Sequence, residues 1–143
     1  MRHFFNIIFM EKRNKIYILL FLSVLWAIVI FVLCALPPGK LQTVRMPYFD
    51  KVAHFGVFFV QSLLLSLLFN FRTQKSFIQI VVLSTLIAFI YGGLIEILQS
   101  NFFNRSGEVL DLIADILGAF AGAMIYPTII RFFRSIVKKG TQK

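Results

Sequence analysis

The sequence is poor in charge and in cysteine. Only 15% of its 143 residues are charged and 59% are hydrophobic, whereas soluble domains average about 25% and about 45–50%. A core of this size could not absorb so much apolar surface, so the composition excludes an ordinary soluble domain. A single cysteine excludes an internal disulfide, and it does not indicate whether the protein lies in an oxidising or a reducing compartment.

Motifs for metal and phosphate binding are also missing. The sequence has no HExxH, no CxxC and no glycine loop that could cradle a phosphate. No serine or cysteine stands out as a nucleophile. We therefore predict no metal and no other cofactor. A divalent metal held by a histidine and several carboxylates stays open as the less favoured alternative.

Four apolar runs indicate the fold. Ile16–Leu36 carries no charge, and Val52–Phe71, Phe77–Gln99 and Val109–Ile130 each carry one or two acids or histidines near one end. Each run is about 20 residues long, enough to cross a hydrocarbon core of about 30 Å as a helix. A helix also satisfies every backbone polar group in lipid, and short connections favour antiparallel neighbours. The sequence predicts an all-α integral membrane four-helix bundle with short loops.

Three segments divide the chain. We assign residues 1–15 to an N-terminal arm, residues 16–130 to the membrane domain and residues 131–143 to a basic tail. The apolar stretch His3–Met10 either lies along the membrane interface or belongs to a disordered arm. No connection is long enough to fold as a separate domain.

Lysines and arginines are unevenly divided between the two predicted sides of the membrane. Eleven lie in the N-terminal arm, the second connection and the C-terminal tail, and four lie on the opposite side. By the positive-inside rule, both termini are cytoplasmic. Because bases at the ends of apolar runs fix orientation, the net charge of +9 does not indicate a nucleic-acid partner.

Acidic residues gather on the predicted outer side, where five of the six lie. Three helix ends meet there: the start of the second span, the end of the third and the start of the fourth. Asp50 and His54 are spaced i, i+4, as are Asp111 and Asp115, so each pair shares a helix face. The predicted polar cluster contains Asp50, Lys51, His54, Glu96, Gln99, Arg105, Asp111 and Asp115.

The membrane makes such side chains costly. A charged residue at the centre of a spanning helix costs about 2.5–3.5 kcal/mol, and less near an interface. Glu96 and Asp115 lie inside their predicted spans, so both need partners, and His54 and Arg105 are the candidates. The ionisable groups stop in the outer half, which disfavours an ion channel.

Each of these side chains also has a purely structural interpretation. Asp50 suits the N-cap position of a helix, and Lys51 suits the interface, where its ammonium reaches water. His54, Glu96 and Asp115 could serve only to hold helices together.

Small residues predict close helix packing. Gly118 and Gly122 form a Gly-x-x-x-Gly pair, and Gly92 belongs to a Tyr-Gly-Gly sequence. Such residues let helix backbones approach closely. We expect contacts within the bundle. Dimerisation is the alternative, and the oligomeric state is left open.

Three stretches, in the same order, resemble the VanZ-like family: "DKVAHFGVFF", "YGGLIEILQ" and "RSGEVLDLIADILGAFAG". That family's pattern runs D-K-x-x-H-F, then G-x-x-x-E-x-x-Q, then R and D-x-x-x-N followed by small residues. The resemblance spans residues 50–122, about half of the chain. Asp115 departs from the pattern, which has asparagine there, and so adds an acid. The matching residues are Asp50, Lys51, His54, Phe55, Gly92, Glu96, Gln99, Arg105, Asp111, Gly118 and Gly122.

The resemblance implies a small multi-pass protein of the bacterial cytoplasmic membrane. The namesake of the family is associated with resistance to the glycopeptide teicoplanin, which is an association and not a reaction. Our leading hypothesis is that the outer cluster binds a polar envelope ligand, the head group of a membrane lipid or of a lipid-linked peptidoglycan precursor. The alternative is a membrane enzyme acting on a lipid-linked substrate, with Glu96 or Asp115 as base and His54 as acid or orienting group. In a third interpretation, the cluster only locks the helices together.

Overall fold

The four predicted spans are helices in the structure, a computed structural model that describes residues 12–35, 49–102 and 109–140. The helices are α1 (Lys12–Ala35), α2 (Phe49–Arg72), α3 (Phe77–Phe102) and α4 (Val109–Gly140). Each contains a stretch long and apolar enough to cross a membrane. No strand occurs within these three ranges. The all-α four-helix prediction is therefore confirmed.

Two helices extend into the segments predicted as the N-terminal arm and the basic tail. α1 begins at Lys12, inside the predicted arm, and α4 continues past Ile130 to Gly140 with Pro127 in its interior. Transmembrane helices tolerate an interior proline because neighbouring groups can satisfy the backbone carbonyl that it frees. Residues 131–140 thus prolong the fourth span as helix. The remainder of the predicted arm and tail lies outside the described residues.

Contacts between the helices establish an up-down-up-down arrangement. The Lys15 ammonium at the start of α1 lies over the Phe71 ring at the end of α2, with 5.8 Å between the nitrogen and the ring centroid. α1 and α2 therefore run in opposite directions. The Tyr91 hydroxyl on α3 donates to the backbone oxygen of Ala27 on α1 at 2.6 Å, while the Trp26 indole donates to the Val57 oxygen on α2 at 2.9 Å.

A reciprocal capping arrangement starts α3 directly after a four-residue turn. The backbone nitrogen of Gln79 donates to the Ser76 hydroxyl at 3.3 Å, and the backbone nitrogen of Ser76 donates to the Gln79 side-chain oxygen at 2.9 Å. This exchange satisfies two backbone donors that a helix start otherwise leaves without partners. The turn is tight, and it makes α2 and α3 antiparallel neighbours.

The most extensive contact between the described helices joins α2 and α4, which are not adjacent in the sequence. A Cβ atom added to Gly118 would overlap the backbone oxygen of Phe55, and one added to Gly122 would overlap that of Phe59. The fully buried Ala119 lies beside them. Because the two glycines lack side chains, the α4 backbone lies directly against the α2 backbone. α2 and α4 run in the same direction, since 55 pairs with 118 and 59 with 122.

The outside of the bundle is apolar. Large hydrophobic side chains such as Phe21, Ile78, Val82 and Phe120 are exposed along the helices, as expected of a surface that faces lipid tails rather than water. The interior, by contrast, contains several polar side chains, and most of the ionisable ones lie at one end.

Candidate functional site

Ionisable side chains meet at the end of the bundle where α2 and α4 begin and α3 ends, called here the polar end. Six of them form the polar cluster: Asp50, Lys51, His54, Glu96, Asp111 and Asp115. The first three lie on the first turns of α2, Glu96 lies near the end of α3, and the two remaining aspartates lie on the first turns of α4. The close contact between α2 and α4 places their side chains opposite each other.

Lys51 connects α2 to α4. Its Nζ donates to Asp111 Oδ1 at 2.9 Å and to Asp50 Oδ2 at 2.8 Å. The side chain of Asp111 is only 8% exposed, that of Lys51 is 17% exposed, and that of Asp50 is 43% exposed. The lysine therefore neutralises one buried and one half-exposed carboxylate, and the ion pair with Asp111 crosses between two helices.

His54 lies between the two aspartates of α4. Its Nδ1 is 2.9 Å from Asp115 Oδ1, and its Nε2 is 4.0 Å from Asp111 Oδ2. Both the imidazole and the Asp115 carboxylate are buried. When Asp115 is ionised it can only accept hydrogen bonds, and Nδ1 of His54 then carries the hydrogen in this contact. The i, i+4 spacing of Asp111 and Asp115 is what brings one carboxylate to each side of the ring.

Gly92 makes room for Asp115. A Cβ atom on Gly92 would lie 2.7 Å from Asp115 Oδ2, whereas one on the neighbouring Gly93 would meet nothing within 4 Å. Gly92 thus packs against a side chain, not against the backbone of another helix. Asp115 Oδ2 is buried and has no hydrogen-bond partner within the part of the chain that the structure describes.

Glu96 brings the third helix into the cluster. One nitrogen of His54, one carboxylate oxygen of Glu96 and one of Asp111 all lie within 4.8 Å of one another. The structure therefore brings these three residues, each from a different helix, together at the polar end, as the sequence spacing predicts.

One predicted member, Gln99, makes its contact outside the polar cluster. Gln99 is buried, and its Nε2 donates to the backbone oxygen of Cys34 at 3.1 Å. Carbonyls in the last turn of a helix have no intrahelical donor, so Gln99 caps the end of α1. Arg105 lies outside the described residues, and its pairing with Glu96 stays a prediction.

A row of buried hydroxyl and amide groups continues from the cluster into the bundle, and the sequence reasoning missed it. Gln61, Ser62 and Ser66 lie on the buried face of α2 that carries His54. The Ser66 hydroxyl donates to the Ser84 hydroxyl on α3 at 2.9 Å. The signal was present in the helical spacing of these residues, but isolated serines barely lower the hydropathy of an apolar run.

Some of these groups have no hydrogen-bond partner among the residues described. They are the side-chain oxygens of Gln61, Ser62 and Thr85. The polar interior is therefore deeper than the ionisable residues alone indicate. Its ionisable part is nevertheless confined to the polar end within the described helices, and the deeper part is neutral.

Comparison with known proteins gives one match. The family model described as VanZ/LLP1 matches residues 3–133. No significant match was found among curated proteins or among solved structures. The family match covers most of the 143 residues and includes all of the polar cluster. With four helices able to cross a membrane, the chain is a multi-pass membrane protein that belongs to the VanZ/LLP1 family.

Proposed function

We propose that the polar cluster binds the head group of a bacterial envelope ligand, either a membrane lipid or a lipid-linked peptidoglycan precursor. The observation that carries this proposal is that side-chain exposure falls from one end to the other of a connected set of ion pairs and hydrogen bonds. Asp50 is the most exposed member, Lys51 is intermediate, and the carboxylates of Asp111 and Asp115 are buried. The cluster therefore opens towards the end of the bundle, where head groups lie in a bilayer.

The chemistry of the cluster suits a hydrogen-bonding ligand. Carboxylates accept hydrogen bonds from hydroxyl, amide and ammonium groups, and the Lys51 ammonium can donate to a phosphate or carboxylate. Ionisable groups within membrane spans are costly and usually serve a function. A cluster with four acids from three helices exceeds what is needed to join two helices.

A membrane enzyme is the second candidate, and one observation favours it. The buried contact between His54 and Asp115 orients an imidazole beside the Glu96 carboxylate, which is an arrangement suited to general acid–base catalysis. Here Glu96 or Asp115 is the base, and His54 is the acid or orienting group. Turnover of a lipid-linked substrate by the purified protein selects this candidate over simple binding.

The proposal includes an orientation. The eleven bases on one predicted side, against four on the other, support cytoplasmic termini in the bacterial cytoplasmic membrane, with the polar end at the outer face. Gln74 lies in the α2–α3 turn, and Asn101 lies at the opposite end of α3, and both are exposed. We expect a membrane-impermeant maleimide to label Asn101→Cys in intact cells, and to label Gln74→Cys only after permeabilisation.

The labelling requires a Cys34→Ala background, because Cys34 is the single native cysteine. Labelling of Gln74→Cys but not Asn101→Cys in intact cells would place the cluster at the cytoplasmic face and refute an outer envelope ligand.

Glu96→Gln is expected to abolish the cellular phenotype while leaving insertion and folding intact, because it keeps the shape of the side chain and removes its charge. The phenotype is measured by comparing the lipids and muropeptides of cells with and without the protein, and by teicoplanin susceptibility. Glu11→Gln, the same substitution near the N-terminus, is the matched control. If Glu96→Gln and His54→Ala are both folded and both leave the phenotype unchanged, the cluster only packs helices.

A further inference from the structure

Three side chains of the polar cluster offer metal-ligating atoms to one point. His54 on α2, Glu96 on α3 and Asp111 on α4 each present one such atom, and these atoms lie within 4.8 Å of one another. Two atoms that bind the same ion, each about 2.0–2.2 Å from it, lie about 3–4.4 Å from each other, depending on the angle between the two bonds. The separations reach 4.8 Å, so binding one ion requires the side chains to turn slightly towards it.

The orientation of His54 is an independent observation that points to a metal. Its Nδ1 contacts Asp115 Oδ1 at 2.9 Å, and the Asp115 side chain is completely buried. Metal-binding histidines usually donate their second ring N–H to a carboxylate or carbonyl, which fixes the ring and makes the other nitrogen a better ligand. Here that other nitrogen, Nε2, faces Asp111 Oδ2 at 4.0 Å.

The two oxygens of the buried Asp111 carboxylate face different groups. Lys51 contacts Oδ1 and also Asp50. Asp111 Oδ2 remains directed towards His54. Buried carboxylates need a compensating charge in a low-dielectric environment. Either a metal ion or a proton on His54 could lie between Asp111 Oδ2 and the imidazole, and the two differ in measurable ways.

We propose that His54, Glu96 and Asp111 bind one divalent transition-metal ion, Zn²⁺ or Mn²⁺, with Asp115 positioning the histidine. One imidazole with two carboxylates suits these ions, and three protein ligands leave at least one coordination position open. An open position could accept water or a ligand oxygen. The metal site does not depend on the proposed head-group function, since it is tested by binding of the ion alone.

The test uses the full chain in lipid nanodiscs, stripped with a chelator and then dialysed. We expect one Zn²⁺ per chain by isothermal titration calorimetry and one Mn²⁺ per chain by electron paramagnetic resonance. His54→Ala, Glu96→Gln and Asp111→Asn should each weaken the affinity by at least about 100-fold, because each removes a ligand. Glu11→Gln, which removes a carboxylate that is not a member of the polar cluster, is the control and should change affinity by less than about 3-fold.

Variants of Asp115 should affect metal affinity differently from variants of the ligands, because Asp115 acts through His54. Asp115→Ala should weaken binding by about 10–100-fold, the range for losing a supporting partner of a ligand. Asp115→Asn should recover part of that loss, because its side-chain oxygen still accepts from Nδ1. If Asp115 only packed helices, the metal affinity would not fall in the order wild type, Asp115→Asn, Asp115→Ala.

A measurement on the wild-type protein keeps the proposal testable if a variant does not fold. Electron spin-echo modulation of bound Mn²⁺ should show coupling to an imidazole nitrogen, and His3→Ala, which removes the other histidine, should retain it. Absence of binding with one ion per chain, absence of the nitrogen coupling, or equal losses in Glu11→Gln and Asp111→Asn would each overturn the proposal. Those results would leave a protonated His54 as the compensating charge.

Discussion

Alanine at Gly118 or Gly122 is expected to destabilise the protein severely. The new Cβ atom would overlap the backbone oxygen of Phe55 or Phe59. A backbone atom cannot rotate away as the end of a flexible side chain can, so α2 and α4 must separate. Overpacking of a tight core costs about 1–3 kcal/mol and occasionally more, and we expect the upper end of this range at each site. The free energy of unfolding, measured by denaturant titration in mixed micelles, reports the loss.

Gly56 and Gly93 provide matched controls within the same helices as the polar cluster. A Cβ atom at either position would meet nothing within 4 Å. Alanine there should leave stability unchanged or raise it slightly, because alanine favours helix over glycine by about 1 kcal/mol in water. Equal effects at all four glycines would show that the α2–α4 contact is not as close as described.

Replacing Lys51 with methionine is expected to cost about 3–5 kcal/mol, the usual penalty for removing one partner of a buried ion pair. The loss leaves the buried Asp111 carboxylate without the ammonium that lies 2.9 Å away. Asp50→Asn removes the other contact of the same lysine. It should cost only about 0–1 kcal/mol, because the Asp50 side chain is 43% exposed and water screens the pair.

The double variant Lys51→Met, Asp111→Leu distinguishes a pair from two independent residues. Replacing both partners of a buried pair with apolar groups is often neutral or stabilising, so the double variant should be more stable than Lys51→Met alone. The measurements are made in chelator, so that no metal contributes. Lys75→Met in the exposed α2–α3 turn is the control for loss of a positive charge. An additive double variant would show that Lys51 and Asp111 are not coupled.

The fold was predictable because its strongest determinant is local. A run of about 20 apolar residues can satisfy its backbone in lipid only as a helix, and the four helices follow from that. Helix spacing also predicts the meeting of His54, Glu96 and Asp111, since it needs only depth and periodicity. The ends of α1 and α4 were not predictable, because the polar residues that flank a span can continue its helix into the interface.

Pairwise contacts were less accessible from the sequence. Short loops indicate sequential neighbours, but the most extensive contact joins α2 to α4, and no local rule specifies that Gly118 meets Phe55. The hydrogen-bond partner of the Gln99 side chain was also not predictable. Its spacing from Glu96 suggests a shared face, yet its amide donates a hydrogen bond to the backbone carbonyl of Cys34 at the end of α1. This hydrogen bond depends on where α1 ends, and the sequence around Gln99 contains no information about that.

The α2–α4 contact has a consequence for biosynthesis. A ribosome adds about 5–20 residues per second, so several seconds pass between the synthesis of His54 and that of Asp115. Before α4 is synthesised, α2 and α3 carry His54 and Glu96 without the aspartates of α4, and the surface of α2 around Phe55 and Phe59 lacks the glycines that pack against it. The polar cluster is therefore completed last. A nascent chain arrested before Val109 therefore exposes a polar surface that only α4 completes.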